Sequence, residues 1–240
     1  MRTQLLQSVA VGALALGLGM ATASAANITI NSTAPTWGGT VGGTNVNTTT
    51  SGGGNATVYQ IRWGTSTGQG QSGLGFDPAN PPLAVIPTET TFLLGTLTHY
   101  NNPIGGGSAA SSTVLSLLTN VAGATPVNQT FQYRFNINET TNAPPCQFPQ
   151  GPDCADQITF TNLDTTSTFE VGGVYYTIAL VGFSTNGGNT IVNDFISEEG
   201  GSRSAGLYAR ITTNVPEPAT LALFGTALVG LGLARRRRVH

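Results

Sequence analysis

The sequence predicts an all-β protein whose single domain is a β-sandwich with jelly-roll-like connectivity. Several segments alternate hydrophobic and polar residues with a period of two, which is typical of strands buried on one face. Turn-forming residues separate these segments at short intervals, and the 240-residue chain contains 32 glycines and 13 prolines. Many short strands joined by such turns are characteristic of sandwiches.

Four segments give the clearest strand predictions because their alternation is regular. They are residues 59–63, 131–137, 158–160 and 207–211. The second runs Phe-Gln-Tyr-Arg-Phe-Asn-Ile, so every other side chain is apolar, and it predicts a strand with one face in the core.

Other segments do not show regular alternation and are predicted from other features of the sequence. Residues 174–183 are apolar on both faces, which predicts a central strand packed on two sides. The turn Gly172-Gly173 joins this strand to residues 168–171 as a hairpin. Residues 112–119 are the only segment that we expect to form a short helix.

A segment near the N-terminus differs in composition from the residues that follow it. Residues 26–56 are rich in glycine, threonine and asparagine, and we expect short edge strands and flexible loops there. The sandwich domain then spans residues 57–214, and no internal repeat is visible.

The charge distribution excludes some classes of partner. Only 8% of the residues are charged, against about 25% in an ordinary soluble domain. Residues 26–214 contain four arginines, no lysine and ten acidic residues, which gives a formal charge of −6. Without a basic face, binding to nucleic acid is not expected.

Residues 1–25 have the layout of a secretory signal peptide. Arg2 supplies the positive start, residues 9–20 form an apolar run, and Ala23-Ser24-Ala25 gives the small-x-small cleavage pattern. We therefore expect cleavage after Ala25. The alternative is an uncleaved N-terminal anchor.

Residues 215–240 have three parts in a defined order. Val215-Pro216-Glu217-Pro218 is followed by an uncharged apolar run at 219–234, and then by the basic cluster Arg235, Arg236, Arg237 and Arg238. Sixteen helical residues span about 24 Å, which is short but workable for a bilayer. The arginines would hold their end in the cytoplasm.

This tail resembles the PEP-CTERM sorting signal of Gram-negative bacteria that make extracellular polysaccharide. The resemblance implies recognition by an exosortase and transient insertion of the precursor in the inner membrane. It also implies removal of the tail near Pro216-Glu217-Pro218. A permanent single-span anchor is the alternative.

Cys146 and Cys154 are the only cysteines. In an exported chain, such a pair across a proline-rich loop predicts a disulfide. A metal site would need further cysteine or histidine ligands, and only His99 is available in the domain. We expect no metal at these cysteines and no cofactor in the protein.

Motifs for catalysis are absent or incomplete. Gly68-Gln69-Gly70-Gln71-Ser72-Gly73 matches G-x-G-x-x-G, but the prolines that follow prevent the helix a dinucleotide site needs. His99 lies where an apolar strand ends in polar residues. Thr98, His99 and Asn101 could be ligands for a sugar or an ion, but we favour side chains that satisfy nearby backbone groups.

Two acidic groups could bind Ca²⁺, a cation that prefers several oxygen ligands. One consists of Asp194, Glu198 and Glu199, and the other of Asp153 and Asp156. Neither has a known loop spacing, so we favour solvated surface for both.

A second resemblance covers about residues 57–213. The segment Thr98-His99-Tyr100-Asn101 looks like the signature of the THxN family of PEP-CTERM proteins, which overlaps the choice-of-anchor K domain. Glu139-Thr140 and the two cysteines ahead of Asp156 agree with it. The family pattern prefers a proline after Glu-Thr, where this chain has Thr141. The resemblance implies an exported surface or matrix protein, and no enzymatic activity or ligand is attached to it.

The predicted function is that of a non-enzymatic extracellular protein, released to the cell surface or polysaccharide matrix. One alternative is a carbohydrate-binding module that uses Trp37, Trp63, Tyr59 or Tyr100 as stacking platforms, although we favour core packing for each of these rings. The other is a glycan hydrolase, which requires two carboxylates converging in a cleft.

Overall fold

The computed structural model describes residues 27–54, 56–80, 83–149, 154–163 and 167–213. Within these residues the protein is all-β, with thirteen strands in two antiparallel sheets and no helix. This confirms the predicted fold class, while the jelly-roll connectivity stays a prediction. The signal peptide and the tail at 215–240 lie outside the described residues.

The first sheet has six strands in the order β12-β9-β8-β7-β1-β5. Its strands are β1 (Asn27–Gly42), β5 (Leu83–Pro87), β7 (Ala110–Val121), β8 (Asn128–Asn138), β9 (Asp156–Asn162) and β12 (Asp194–Ser197).

The second sheet has seven strands in the order β10-β11-β13-β6-β4-β3-β2. Its strands are β2 (Asn47–Ser51), β3 (Val58–Trp63), β4 (Ser72–Pro78), β6 (Thr91–Asn101), β10 (Phe169–Val171), β11 (Val174–Ser184) and β13 (Gly201–Thr213).

The core lies between the sheets and contains a cluster of aromatic rings that joins them. Phe183 of β11 contacts three rings of the first sheet, with ring centroids 6.3 Å from Phe135, 5.5 Å from Phe160 and 6.1 Å from Phe195. Trp37 of β1 packs on Phe135 at 5.8 Å. The Trp37–Phe135 contact lies within the first sheet, whereas the three contacts of Phe183 hold the two sheets face to face, as expected for a sandwich.

The period-two segments all form strands. Residues 59–63 belong to β3, 131–137 to β8, 158–160 to β9 and 207–211 to β13. The hairpin at Gly172-Gly173 is also confirmed, since Val171 pairs with Val174 across it. Regular alternation was therefore a sufficient signal for these elements.

The prediction of a helix at 112–119 is wrong, because these residues lie within β7. This strand pairs with β1 on one side and β8 on the other. Residues 112–119 alternate poorly because polar Thr113 and Ser112 are buried along with the leucines. Pairing on both edges decides the conformation, and a single sequence does not show it.

The expectation of short edge strands and loops at 26–56 holds only in part. β2 is an edge strand, but β1 is 16 residues long and lies between β7 and β5. This segment therefore belongs to the sandwich. The strand β1 was not recognised in the sequence because the segment is rich in threonine, asparagine and glycine. Its pairing with β7 is also interrupted by irregularities, including one between Gly38 and Val41.

The prediction that residues 174–183 are packed on both faces is also wrong. β11 lies beside the short strand β10, and its buried residues alternate with partly exposed ones along most of its length. Tyr175 on the outer face is 45% exposed. Only the face that carries Tyr176, Ile178 and Leu180 is in the core, and Phe183 continues this face beyond the irregularity in pairing between Leu180 and Gly182.

Candidate functional site

Three carboxylates meet at one end of the sandwich. Glu139 follows β8, Asp156 begins β9 and Glu199 follows β12, and oxygens of the three lie within 4.8 Å of one another. Asn138 pairs with Gln157, so one further residue in the same register places Glu139 beside Asp156. The order of neighbouring strands therefore creates the cluster.

Asp156 is at the centre of this acidic cluster (Glu139, Asp156 and Glu199) and is fully buried. Its Oδ1 accepts hydrogen bonds from the Thr140 backbone N–H at 2.7 Å and from the Thr140 hydroxyl at 3.1 Å. Ser197 pairs directly with Asp156 in the neighbouring strand. The two side chains therefore lie on the same inner face of the sheet.

The opposite sheet contributes Asn101, which ends β6 and is completely buried. Its Nδ2 donates a 2.9 Å hydrogen bond to the Ser197 carbonyl, and its side chain also hydrogen-bonds the Asp156 carboxylate. Asn101 thus connects the second sheet to the acidic cluster and helps to position Asp156.

Burial and mutual repulsion disfavour ionisation of two of the carboxyls. Burial, together with the neighbouring charges of Asp156 and Glu199, raises the pKa of Glu139 to about 8. Burial also raises the pKa of Asp156 to about 6, against the opposing effect of its bonds to Thr140 and Asn101. Without a counter-charge, the cluster is costly to ionise at neutral pH.

The segment with Thr98, His99 and Asn101 does not form one ligand set. His99 and Asn101 are buried, whereas Thr98 lies on the opposite face of β6, where its hydroxyl is 2.8 Å from that of Ser204. Asn101 satisfies a backbone carbonyl, as we favoured from the sequence. For His99 that interpretation is wrong, because neither ring nitrogen has a hydrogen-bond partner in the described part of the chain.

His99 is completely buried, and burial lowers its pKa to about 3, with the nearby charge of Arg62 acting in the same direction. It is therefore neutral at physiological pH. Arg203 pairs opposite it on β13, but this arginine forms an exposed ion pair with Glu198. A general base works best with a pKa near the operating pH and must reach the substrate, so a completely buried histidine with a pKa of about 3 is not suited to that role.

The two acidic groups that the sequence suggested as calcium ligands do not stay together in the structure, because some of their members are at the surface and others are buried. Asp194 accepts a hydrogen bond from Gln157 and Glu198 is exposed, as expected for surface residues. Asp156 is buried, so its assignment to solvated surface is wrong. Asp153 lies outside the described residues. Glu139 was not among the candidates, although it continues the inward alternation of Phe135 and Ile137.

The four aromatic residues suggested as stacking platforms differ in their exposure. Trp63 is 0% exposed, so its proposed role as a stacking platform is wrong and it packs in the core. The Arg62 guanidinium lies 3.4 Å from the centre of the Tyr100 ring and covers one face of it. Trp37 and Tyr59 remain accessible in part.

These two rings line a groove of ≈ 550 Å³ between β1 of the first sheet and β2 and β3 of the second. Trp37 comes from β1 and Tyr59 from β3, and the Trp37 indole N–H donates a 2.8 Å hydrogen bond to the Tyr59 carbonyl. The remaining lining residues are Pro35, Thr36, Thr48, Thr49, Thr50 and Gln60. The groove therefore offers aromatic surface together with uncharged hydroxyl and amide groups.

The predicted disulfide is present between Cys146 and Cys154, whose Cα atoms are 5.0 Å apart. Ala155 then donates its backbone N–H to the Phe148 carbonyl at 3.1 Å. The bridge thus ties the loop to the chain immediately ahead of Asp156, at the same end of the sandwich as the acidic cluster.

One comparison with known proteins concerns the end of the chain. Residues 214–238 match the family described as the PEP-CTERM protein-sorting motif. The chain carries this sorting signal. No curated protein matches the chain.

The PEP-CTERM signal indicates an exported protein that is directed to the cell surface and processed by an exosortase. Its residues, from Val215 to Arg238, lie outside the described part of the structure. Among the described residues, no helix has the length and hydropathy needed to cross a membrane.

Proposed function

We propose that this protein is a non-enzymatic component of the surface or extracellular matrix of a Gram-negative bacterium. The match of residues 214–238 to the PEP-CTERM motif carries the proposal. The precursor is held in the inner membrane by the apolar run at 219–234, with Arg235–Arg238 in the cytoplasm. The exosortase then removes the tail, and the sandwich is released from the membrane.

Removal of the exosortase should change the mass of the mature protein. In the parent strain we expect a polypeptide that begins after Ala25 and lacks Arg235–Arg238. In an exosortase-deficient strain the tail should remain attached. Intact-mass and peptide mass spectrometry would measure both ends and the disulfide together.

A substitution gives a control within the same strain. Glu217→Ala alters the motif and should leave the tail attached, whereas Glu170→Ala, within the sandwich, should be processed normally. Mature protein from the parent strain that still carries Arg235–Arg238 would contradict release and support a permanent anchor.

We propose further that the groove formed by Trp37 and Tyr59 contacts extracellular polysaccharide. Sugars present both C–H faces and hydroxyls, and the groove provides aromatic rings beside threonines and a glutamine. The low charge of the domain suits a neutral glycan. This supports a carbohydrate-binding role through Trp37 and Tyr59, without Trp63.

Truncation of Trp37 should weaken binding to the host's exopolysaccharide. We expect Trp37→Ala to lower the affinity at least about tenfold, which corresponds to ~1.4 kcal/mol of lost stacking and buried area. Isothermal titration calorimetry would measure the affinity, and thermal unfolding would verify that the variant is folded. Tyr175→Ala, on the outer face of β11, is the matched control. Failure of the unmodified protein to bind would contradict the proposal.

The absence of enzymatic activity is part of the proposal. The hydrolase alternative needs a carboxylate pair that is open to a sugar. The converging carboxyls of Glu139 and Asp156 are instead held beneath the sheet ends, and Asp156 is fully buried. Their geometry favours a structural role over glycan hydrolysis.

We also propose that the domain is related to the THxN proteins. Three of the segments that carry that resemblance meet in the fold. Asn101 and Thr140 both hydrogen-bond Asp156. If the family uses these residues to hold the same aspartate in place, that structural requirement would explain why all three short segments resemble the family.

A further inference from the structure

The acidic cluster combines three carboxylates in a small, largely buried space. Neither Glu139 nor Asp156 forms an ion pair with any residue of the described part of the chain. Arg203 follows Glu199 closely in the chain but is bound to Glu198 outside the cluster. Like charges this close repel strongly when water is excluded, so the ionised cluster requires a compensating positive charge.

Unpartnered oxygens at the cluster provide a second observation. Asp156 Oδ2 and Ser197 Oγ are buried and have no hydrogen-bond partner in the described residues. Asn101, also fully buried, directs its amide to Asp156 and has an unpartnered Oδ1. Buried polar atoms are nearly always satisfied, so these atoms indicate a missing partner.

The chemistry of the unsatisfied atoms specifies that partner. They are all oxygens, contributed by carboxylates, a hydroxyl and an amide, and no thiol or imidazole nitrogen is among them. Hard divalent cations prefer such ligands, and calcium accepts irregular sets of 6–8 oxygens, including waters. Bound water alone would satisfy the hydroxyl but would leave the carboxylate charges uncompensated.

We propose that Glu139, Asp156 and Glu199 bind one calcium ion at this end of the sandwich, with the Ser197 hydroxyl beside them. The ion joins three strand ends of the first sheet, and Asn101 connects them to the second sheet. Its position next to the Cys146–Cys154 bridge means that binding also fixes the loop that precedes β9. This site is independent of the sorting signal and of the Trp37 groove.

Calcium should bind the chelator-treated, purified protein with one ion per chain in isothermal titration calorimetry. It should also raise the melting temperature. At calcium concentrations about a hundred times the dissociation constant, the expected increase is about 5–10 °C for a domain of this size.

The variant Glu139→Gln tests the site because it keeps the shape and removes one charge. We expect it to lose at least about tenfold in calcium affinity. In the absence of calcium it should melt at a higher temperature than the unmodified protein, since it relieves repulsion within the cluster. A purely structural role for Glu139 would not produce these opposite effects.

Glu198→Gln is the matched control, because Glu198 neighbours Glu199 in sequence and pairs with Arg203 outside the cluster. It should retain the full calcium response. The proposal would be overturned if the unmodified protein showed neither heat of binding nor a melting shift. An equal calcium response in Glu139→Gln would overturn it too. Should that variant fail to fold, the calorimetry on the unmodified protein still decides.

Discussion

Replacing Phe183 by alanine is expected to lower the free energy of unfolding by about 3–5 kcal/mol. Phe183 is completely buried and is the ring through which β11 contacts the opposite sheet. Its removal opens a cavity bordered by Phe135, Phe160 and Phe195, which project from three different strands. Because these strands are paired in a sheet, they cannot move together to fill the space.

Such a loss is a large fraction of the 5–15 kcal/mol that stabilises a typical domain. Equilibrium unfolding in urea, monitored by intrinsic fluorescence, would measure it. Leu118→Thr is the control, since Leu118 is 47% exposed on the outer face of β7 and should change stability by only about 0.5 kcal/mol. A loss for Phe183→Ala as small as that of the control would mean that the inter-sheet aromatic cluster is not a main source of stability.

Acidification should destabilise the protein through His99. Burial lowers the pKa of His99 from 6.5 to about 3, and the charge of Arg62 adds to this effect. The unfolded chain therefore takes up a proton near pH 6.5 while the folded protein does not. The contribution of His99 to stability is complete above pH 6.5 and decreases as the pH falls toward 3, by up to about 1.4 kcal/mol per pH unit.

The carboxyls of the acidic cluster act in the opposite direction. The pKa values of Glu139 and Asp156 are raised to about 8 and about 6, so in the calcium-free protein they favour folding at low pH. That contribution is lost as the pH rises through those values. The effect of His99 must therefore be isolated by comparison with a variant.

The comparison is between the unmodified protein and His99→Leu, which removes both unpartnered nitrogens without leaving a charge. Stability of both should be measured by urea unfolding from pH 8 to 3.5 in the presence of a chelator. The difference between them should be constant above about pH 6.5 and should grow in favour of the variant at lower pH. A difference that does not vary with pH would show that His99 takes up a proton as readily in the folded protein as in the unfolded chain.

The strands with regular alternation could be predicted because their pattern reflects one buried and one exposed face. β3, β8, β9 and β13 all show this in the sequence. β1 and β7 could not be recognised in the same way. They lie side by side within the first sheet, where pairing with neighbours on both edges outweighs the local preferences of their threonines, glycines and leucines.

The candidate site was even harder to predict from local sequence than the strands β1 and β7. Asp156 and Glu199 stood in separate acidic groups of the sequence, and Glu139 stood in neither. Only the alignment of β8, β9 and β12 brings their side chains together. The register of strand pairing determines which residues become neighbours, and it depends on contacts distant in the chain.

Two properties could be determined from the sequence by itself: the export of the protein and the pairing of its cysteines. The sorting motif at 214–238 is contiguous, so its order of residues carries the signal, and Cys146 and Cys154 had no other cysteine as a partner. The tertiary structure alone decided that Trp63 is core, that His99 is buried without a partner, and that three carboxylates converge. The burial of these side chains and the convergence of the carboxylates arise from the packing of two sheets. That packing depends on contacts between residues far apart in the chain, so it cannot be derived from short stretches of sequence.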